Sequence, residues 1–395
     1  MKARKHAVKA NRIRSLDGLR GLCAIIVMFF HWWLLSPAVW NVVSKGVIPA
    51  AGSPLFMISK TPLNVLVAGS SAVFIFFVIS GVVLALTFEE VDRHDSVAFI
   101  VKRFCRIYLP YAVAILVSLS AMLLVQPAPV PGLSEWFNTY AWSQTITPLR
   151  LLNYVLMTNH DTTLDPVIWS LAHELRISLV FPLIFFFMAR HGTVALVALV
   201  AFSLAAEIIL AIAHVHWVIG EFLNTGKYLF LFAFGIWLYR RGAAPGHREG
   251  RARTLVLGVS ALIAIFLSAR IDLLAFTPAA FLLSTVGSIL VVALALGQNA
   301  IANALASNGA VWFGRISYSL YLMHIPVMLF ILHQFHARAP AGLLFVTGIA
   351  AAIGVAWLMS MTVERFSQRL GRWLATRLSS ASAAKAGAGA VTAAS

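Results

Sequence analysis

The chain has 395 residues, 60% of them apolar and 11% charged, with a mean hydropathy of +0.87. That composition excludes an ordinary soluble domain and places the chain in a lipid bilayer. The net charge of +16 would suggest a nucleic-acid partner in a soluble protein. Here the basic residues cluster in short segments between apolar runs, where lipid headgroups account for them, and no nucleic acid is expected. Cys23 sits in the first apolar run and Cys105 in a basic loop, so neither a disulfide framework nor a metal site is suggested.

In chain order, Lys2, Arg4, Lys5, Lys9, Arg12 and Arg14 precede the first apolar run, and Ser36-Pro37-Ala38 follows it. The pattern superficially resembles a cleavable signal peptide. The run itself carries Arg20, His31, Trp32 and Trp33, however, which a discarded segment has no reason to hold. A spanning helix needs roughly 20 mostly apolar residues, and ten such segments are predicted: 18–38, 69–88, 107–126, 169–189, 193–214, 222–240, 253–270, 276–297, 312–334 and 341–362. The expected fold is an all-α polytopic membrane protein with about ten transmembrane helices and both termini cytoplasmic. That orientation puts Lys102/Arg103/Arg106, Arg240/Arg241, Arg248/Arg251/Arg253 and Arg365/Arg369/Arg372/Arg377 on the inner side. The predicted organisation is a basic cytoplasmic N-terminus (1–17), a transmembrane domain (18–365), and a cytoplasmic basic segment with an Ala/Ser/Gly tail read as disordered (366–395). Two outer loops are long, 39–68 and 127–168. The second, with Trp136, Trp142 and several polar residues, suggests a partly folded cap that binds carbohydrate.

Ionisable groups inside spanning helices are expensive and call for an explanation. Arg20 and His31 lie about three turns apart, which puts them on one face roughly 16 Å apart along the axis. Helix counting places His31 and Glu174 at a similar depth, with His324 within about a turn of them. A histidine, a carboxylate and a second histidine at one level suit general acid–base chemistry. Taken singly, His31 could instead bond a neighbouring helix, and Glu174 could pair with Arg176 or Lys227. Arg103 and Arg106 stand three apart just inside the membrane. They suit ordinary anchoring, and their guanidinium forks also suit the diphosphate of coenzyme A.

These motifs together resemble the acyltransferase-3 family of integral-membrane acyltransferases over nearly the whole chain. The similarity rests on Arg14-Ser-Leu-Asp17-Gly-Leu-Arg20-Gly-Leu followed by His31, on Phe76-Phe-Val-Ile-Ser-Gly and on Arg103-x-x-Arg106. It rests also on Trp169-Ser170-Leu-x-x-Glu174 with Phe181-Pro182, and on Ile316-Ser-Tyr318-Ser-Leu-Tyr-Leu-x-His324-x-Pro. Leu175 and Ser178 depart from the pattern, where an acidic residue and a tyrosine commonly follow Glu174. The resemblance implies an O-acyltransferase of the inner membrane. It would use acetyl-CoA or another acyl-CoA as donor substrate, with no permanently bound cofactor, and a carbohydrate or lipid-linked hydroxyl as acceptor. His31 would be catalytic with Glu174 orienting it, Arg20, Arg103 and Arg106 would hold the donor, and Arg14, Asp17, Trp169, Ser170, Tyr318 and His324 are further candidates. The chain finishes the transfer alone, as a homo-oligomer, or with a separate periplasmic partner. The rival expectation is a secondary transporter or flippase for a glycan or lipid, since intramembrane His, Glu and Arg also mark proton-coupled permeation.

Overall fold

The computed structural model describes residues 2–91, 94–241, 250–272 and 277–392, and Arg248 and residues 393–395 lie outside them. Helices α1 (Lys2–Leu34), α2 (Pro37–Lys45), α3 (Pro54–Lys60), α4 (Gly69–Leu86) and α5 (Ser96–Val125) come first. They are followed by α6 (Glu135–Tyr140), α7 (Pro148–Val155), α8 (Ile168–His191), α9 (Thr193–Ile212), α10 (Trp217–Arg240) and α11 (Arg251–Ile271). The series closes with α12 (Pro278–Leu296), α13 (Ala300–Leu305), α14 (Asn308–Phe335), α15 (Ala341–Met359) and α16 (Arg365–Thr392). The described residues contain no strand. Among them, nine helical stretches are long and apolar enough to cross a membrane. The tenth predicted span is α10, which has the length but carries Glu221 and Lys227. It packs on α4, α8 and α9, and Lys227 Nζ meets Glu207 of α9 at 2.7 Å, so its charges are satisfied inside the bundle. The backbone of α16 is helical to Thr392.

Helix α1 is the centre of the bundle and packs along α14, α4 and α12. Small residues permit the approach. A Cβ at Gly314 would overlap the Asp17 carbonyl, and one at Gly21 would stand 2.6 Å from the Gly314 nitrogen. This is the small-residue packing that lets membrane helices touch backbone to backbone.

The 127–168 segment is folded and fastened at both sides. Ser134 Oγ donates to Leu34 O at 2.6 Å, Tyr108 and Tyr111 hydroxyls donate to Val155 O and Tyr154 O at 2.7 and 2.8 Å, and Trp142 Nε1 donates to Ser118 Oγ at 2.9 Å. Within the segment, Asp161 accepts from Tyr154 at 2.6 Å and from Arg150 at 2.8 Å. Burial alone would raise its carboxyl pKa. The Tyr154 and Thr163 hydrogen bonds and the Arg150 charge outweigh burial and hold it below the usual range.

Pro166 and Val167, at the start of α8, and His173, beside Glu174, border the same cavity as His31.

Candidate active site

His31 and His324 come together. His31 Nδ1 lies 2.8 Å from Val27 O and 3.2 Å from His324 Nε2, while His324 Nδ1 lies 3.0 Å from Leu320 O. A carbonyl oxygen can only accept, so both Nδ1 atoms carry hydrogen. His324 Nε2 is then an acceptor sharing the His31 Nδ1–H, and the lone pair left on His31 is at Nε2. Helix backbone performs the tautomer-fixing role expected of Glu174, because each ring bonds the carbonyl one turn earlier on its own helix.

His31 borders a cavity of roughly 450 Å³ under the 127–168 cap. Trp40, Trp136, Tyr140, Trp169 and Tyr228 line its walls, with Asn159, Thr162, His173 and Asn224 among them. The combination of aromatic faces and a few convergent polar groups is that of a small-molecule site. His173, Asn224 and Tyr228 were not singled out from the sequence. His173 carried a signal all the same: it is an intramembrane ionisable residue directly beside Glu174, and the rule applied to His31 and His324 applies equally to it.

Glu174 accepts from Ser80 Oγ at 3.1 Å and lines a small inner cleft of about 30 Å³ with Arg20, Phe76, Ser317 and Tyr318. It pairs with neither expected cation, since Arg176 meets Glu221 at 3.3 Å and Lys227 meets Glu207. Val73 and Tyr321 border both the cleft and the outer cavity and form the partition between them. The Tyr321 ring is held edge-on to Phe76 at 5.8 Å, and its hydroxyl bonds Ser170 Oγ at 2.7 Å and Val167 O at 3.2 Å. Ser170 thus positions the partition, while Trp169 faces the outer cavity.

Beneath the cleft, Arg106 lies in the fields of Arg20, Glu364, Glu174 and Tyr318, and Asp17 lies in those of Arg20, Arg106, Arg315 and Arg14. The Tyr318 hydroxyl donates to Ile107 O at 2.9 Å, tying α14 to α5. Arg103 is buried with its guanidinium 5.7 Å from the Phe99 ring. Arg14 is a fastener: it donates to Ala306 O at 3.0 Å and to Asn308 Oδ1 at 2.8 Å. Among the described residues no group of three His, Cys, Asp or Glu side chains is placed to hold a metal ion.

Fold and site together define a multi-pass helical membrane protein built around an aromatic-walled, histidine-bearing cavity. The chain belongs to the acyltransferase 3 family, whose acyltransferase-domain profile matches residues 13–361, and it is therefore a membrane-bound acyltransferase. Curated proteins and solved structures give no significant match.

Proposed function

We propose that the chain moves an acyl group, acetyl in the simplest case, from cytoplasmic acyl-CoA to a hydroxyl of a carbohydrate or lipid-linked acceptor bound in the outer cavity. The observation that carries this reading is His31. Its Nδ1–H is committed to Val27 O and His324, and its ring borders the aromatic cavity. The free Nε2 lone pair suits a general base. Orientation with both termini in the cytoplasm, in an inner membrane, follows from the basic inner loops and belongs to the same proposal.

The donor would enter from the cationic side, with Arg20 and Arg106 meeting its anionic groups and the pantetheine arm lying along the Arg20–His31 face. Passage of the thioester to His31 requires the Val73/Tyr321 partition to swing aside. The acceptor oxygen then attacks the thioester carbonyl as His31 Nε2 takes its proton. The carbon–sulfur bond breaks, and the imidazolium returns that proton to the departing thiolate. The charge forming on His31 is shared through Nδ1–H with Val27 O and His324.

The test uses purified full-length chain in lipid discs with labelled acetyl-CoA and membrane extract. Labelled ester should form, and His31→Ala should lower its rate by about 100-fold or more. Full ester formation by a well-folded His31→Ala variant would sink the proposal, and intact acetyl-CoA with wild-type protein would favour a transporter.

A further inference from the structure

His173 is the second imidazole of the outer cavity. It is only 2% exposed yet lines the same cavity as His31. Its protonation pattern follows from its neighbours. Thr225 Oγ1 donates its single hydrogen to Glu221 O at 3.0 Å, one turn back on α10. It also accepts from Arg176 at 3.1 Å, so the 2.9 Å contact with His173 Nδ1 has the imidazole as donor. With Nδ1 as the N–H, Nε2 is an acceptor. It has no hydrogen bond among the described residues and is not one of the sealed, unpartnered polar atoms, so its lone pair opens on the cavity.

The surroundings make this a built position. Arg176, which holds Thr225, also donates to Met157 O and Thr158 O of the cap at 3.0 and 2.9 Å. Glu221 accepts from Asn159 Nδ2 at 3.0 Å. One network therefore locks the His173 ring and seats the cap over it. Trp169 and Tyr228 flank the imidazole, with ring centroids 6.0 and 5.1 Å away, and supply flat apolar faces beside an acceptor atom. The matching ligand is a saturated ring that turns carbon–hydrogen bonds to the aromatics and a hydroxyl to Nε2.

We infer that His173 is a specificity residue: its Nε2 accepts a hydrogen bond from a second hydroxyl of the acceptor, while His31 takes the proton of the one acylated. Two lone pairs bordering one cavity, at His31 and His173, then select an acceptor with two hydroxyls and set which of its oxygens receives the acyl group. The inference rests on the reading of the outer cavity as the acceptor site.

The probes are trans-1,2-cyclohexanediol and cyclohexanol, which share the apolar ring and differ by the second hydroxyl. Full-length protein in lipid discs is supplied with acetyl-CoA, and ester is measured over a range of probe concentrations. The wild type is expected to show a KM for the diol about three- to tenfold below that for cyclohexanol, the worth of one hydrogen bond. His173→Phe should abolish the difference, and His173→Gln, which keeps an acceptor oxygen, should restore part of it. An undiminished diol preference in His173→Phe, with His31→Ala inactive on both probes, overturns this inference and leaves the proposed function standing. Equal KM values for the two probes in the wild type overturn it as well. Activity of His31→Ala at the wild-type level, or esterification of neither probe by the wild type, overturns the acceptor-site reading and this inference with it.

Discussion

At residue scale, the closest hydrogen-bond partner of the His31 ring is the Val27 carbonyl, with His324 0.4 Å further off at 3.2 against 2.8 Å. The carbonyl alone can hold the tautomer, while His324 adds a second acceptor when the ring becomes charged. His324→Ala should accordingly lower kcat by about tenfold, against about 100-fold or more for His31→Ala, a ranking that single-turnover rates with acetyl-CoA would check. Asp165 presents a different case. Its carboxyl is fully buried at the entry to α8, Oδ2 has no partner, and burial pushes its pKa well above the ordinary carboxylate range. The folded protein thus holds a proton that the unfolded chain releases above about pH 4, and stability falls as pH rises from there toward the raised folded pKa. Asp165→Asn removes that slope. Its thermal midpoint relative to wild type should climb between pH 5 and pH 8, and a constant difference across that range would rule out the linkage.

At the scale of elements, the Arg20–His31 axis depends on how closely α1 and α14 approach. Gly21 and Gly314 are required there because backbone atoms of the facing helix occupy the space a Cβ would fill, and Gly18 meets the Leu305 carbonyl of α13 in the same way. Gly314→Leu should prevent assembly of the bundle and yield no monodisperse protein on size-exclusion chromatography. Gly258, in the interior of α11, faces open space, and Gly258→Ala should stabilise by about 0.5–1 kcal/mol through helix propensity. Size-exclusion profiles of the two variants side by side would separate a packing glycine from a dispensable one, and thermal unfolding of Gly258→Ala would measure its gain. The α8–α10 pair carries the other half of the site. Lys227 is buried against Glu207 with its ammonium 4.4 Å from the Phe281 ring, and Arg176 fastens the cap. Arg176 and Lys227 therefore hold structure together, and His173 is left facing the cavity.

At the scale of the whole molecule, the two cavities lie one above the other, separated by Val73 and Tyr321, with cations below and aromatic walls above. That polarity matters for function only if the cap faces outward. In a Cys23→Ser/Cys105→Ser background, Ser143→Cys in the exposed part of the cap should react with an impermeant maleimide on intact cells. Arg369→Cys on α16 should react only after permeabilisation. The reverse pattern would invert the proposed topology.

Hydropathy alone determined the helical membrane architecture, the positions of the spans and the candidacy of Arg20, His31 and His324, because apolar length and the rarity of intramembrane charge are local properties of a sequence. The motifs likewise pointed to the family that the chain belongs to. Helix counting brought His31 and His324 to one level because α1 and α14 are long helices whose turns accumulate predictably. It did not show that Glu174 would meet Ser80, because no helical period reports which neighbour a face meets. Only the tertiary structure decided that Val27 O orients His31, that Glu174 meets Ser80, and that His173 reaches the cavity. Each of these depends on which helix faces which across the bundle, and that choice is made by packing between segments far apart in the chain.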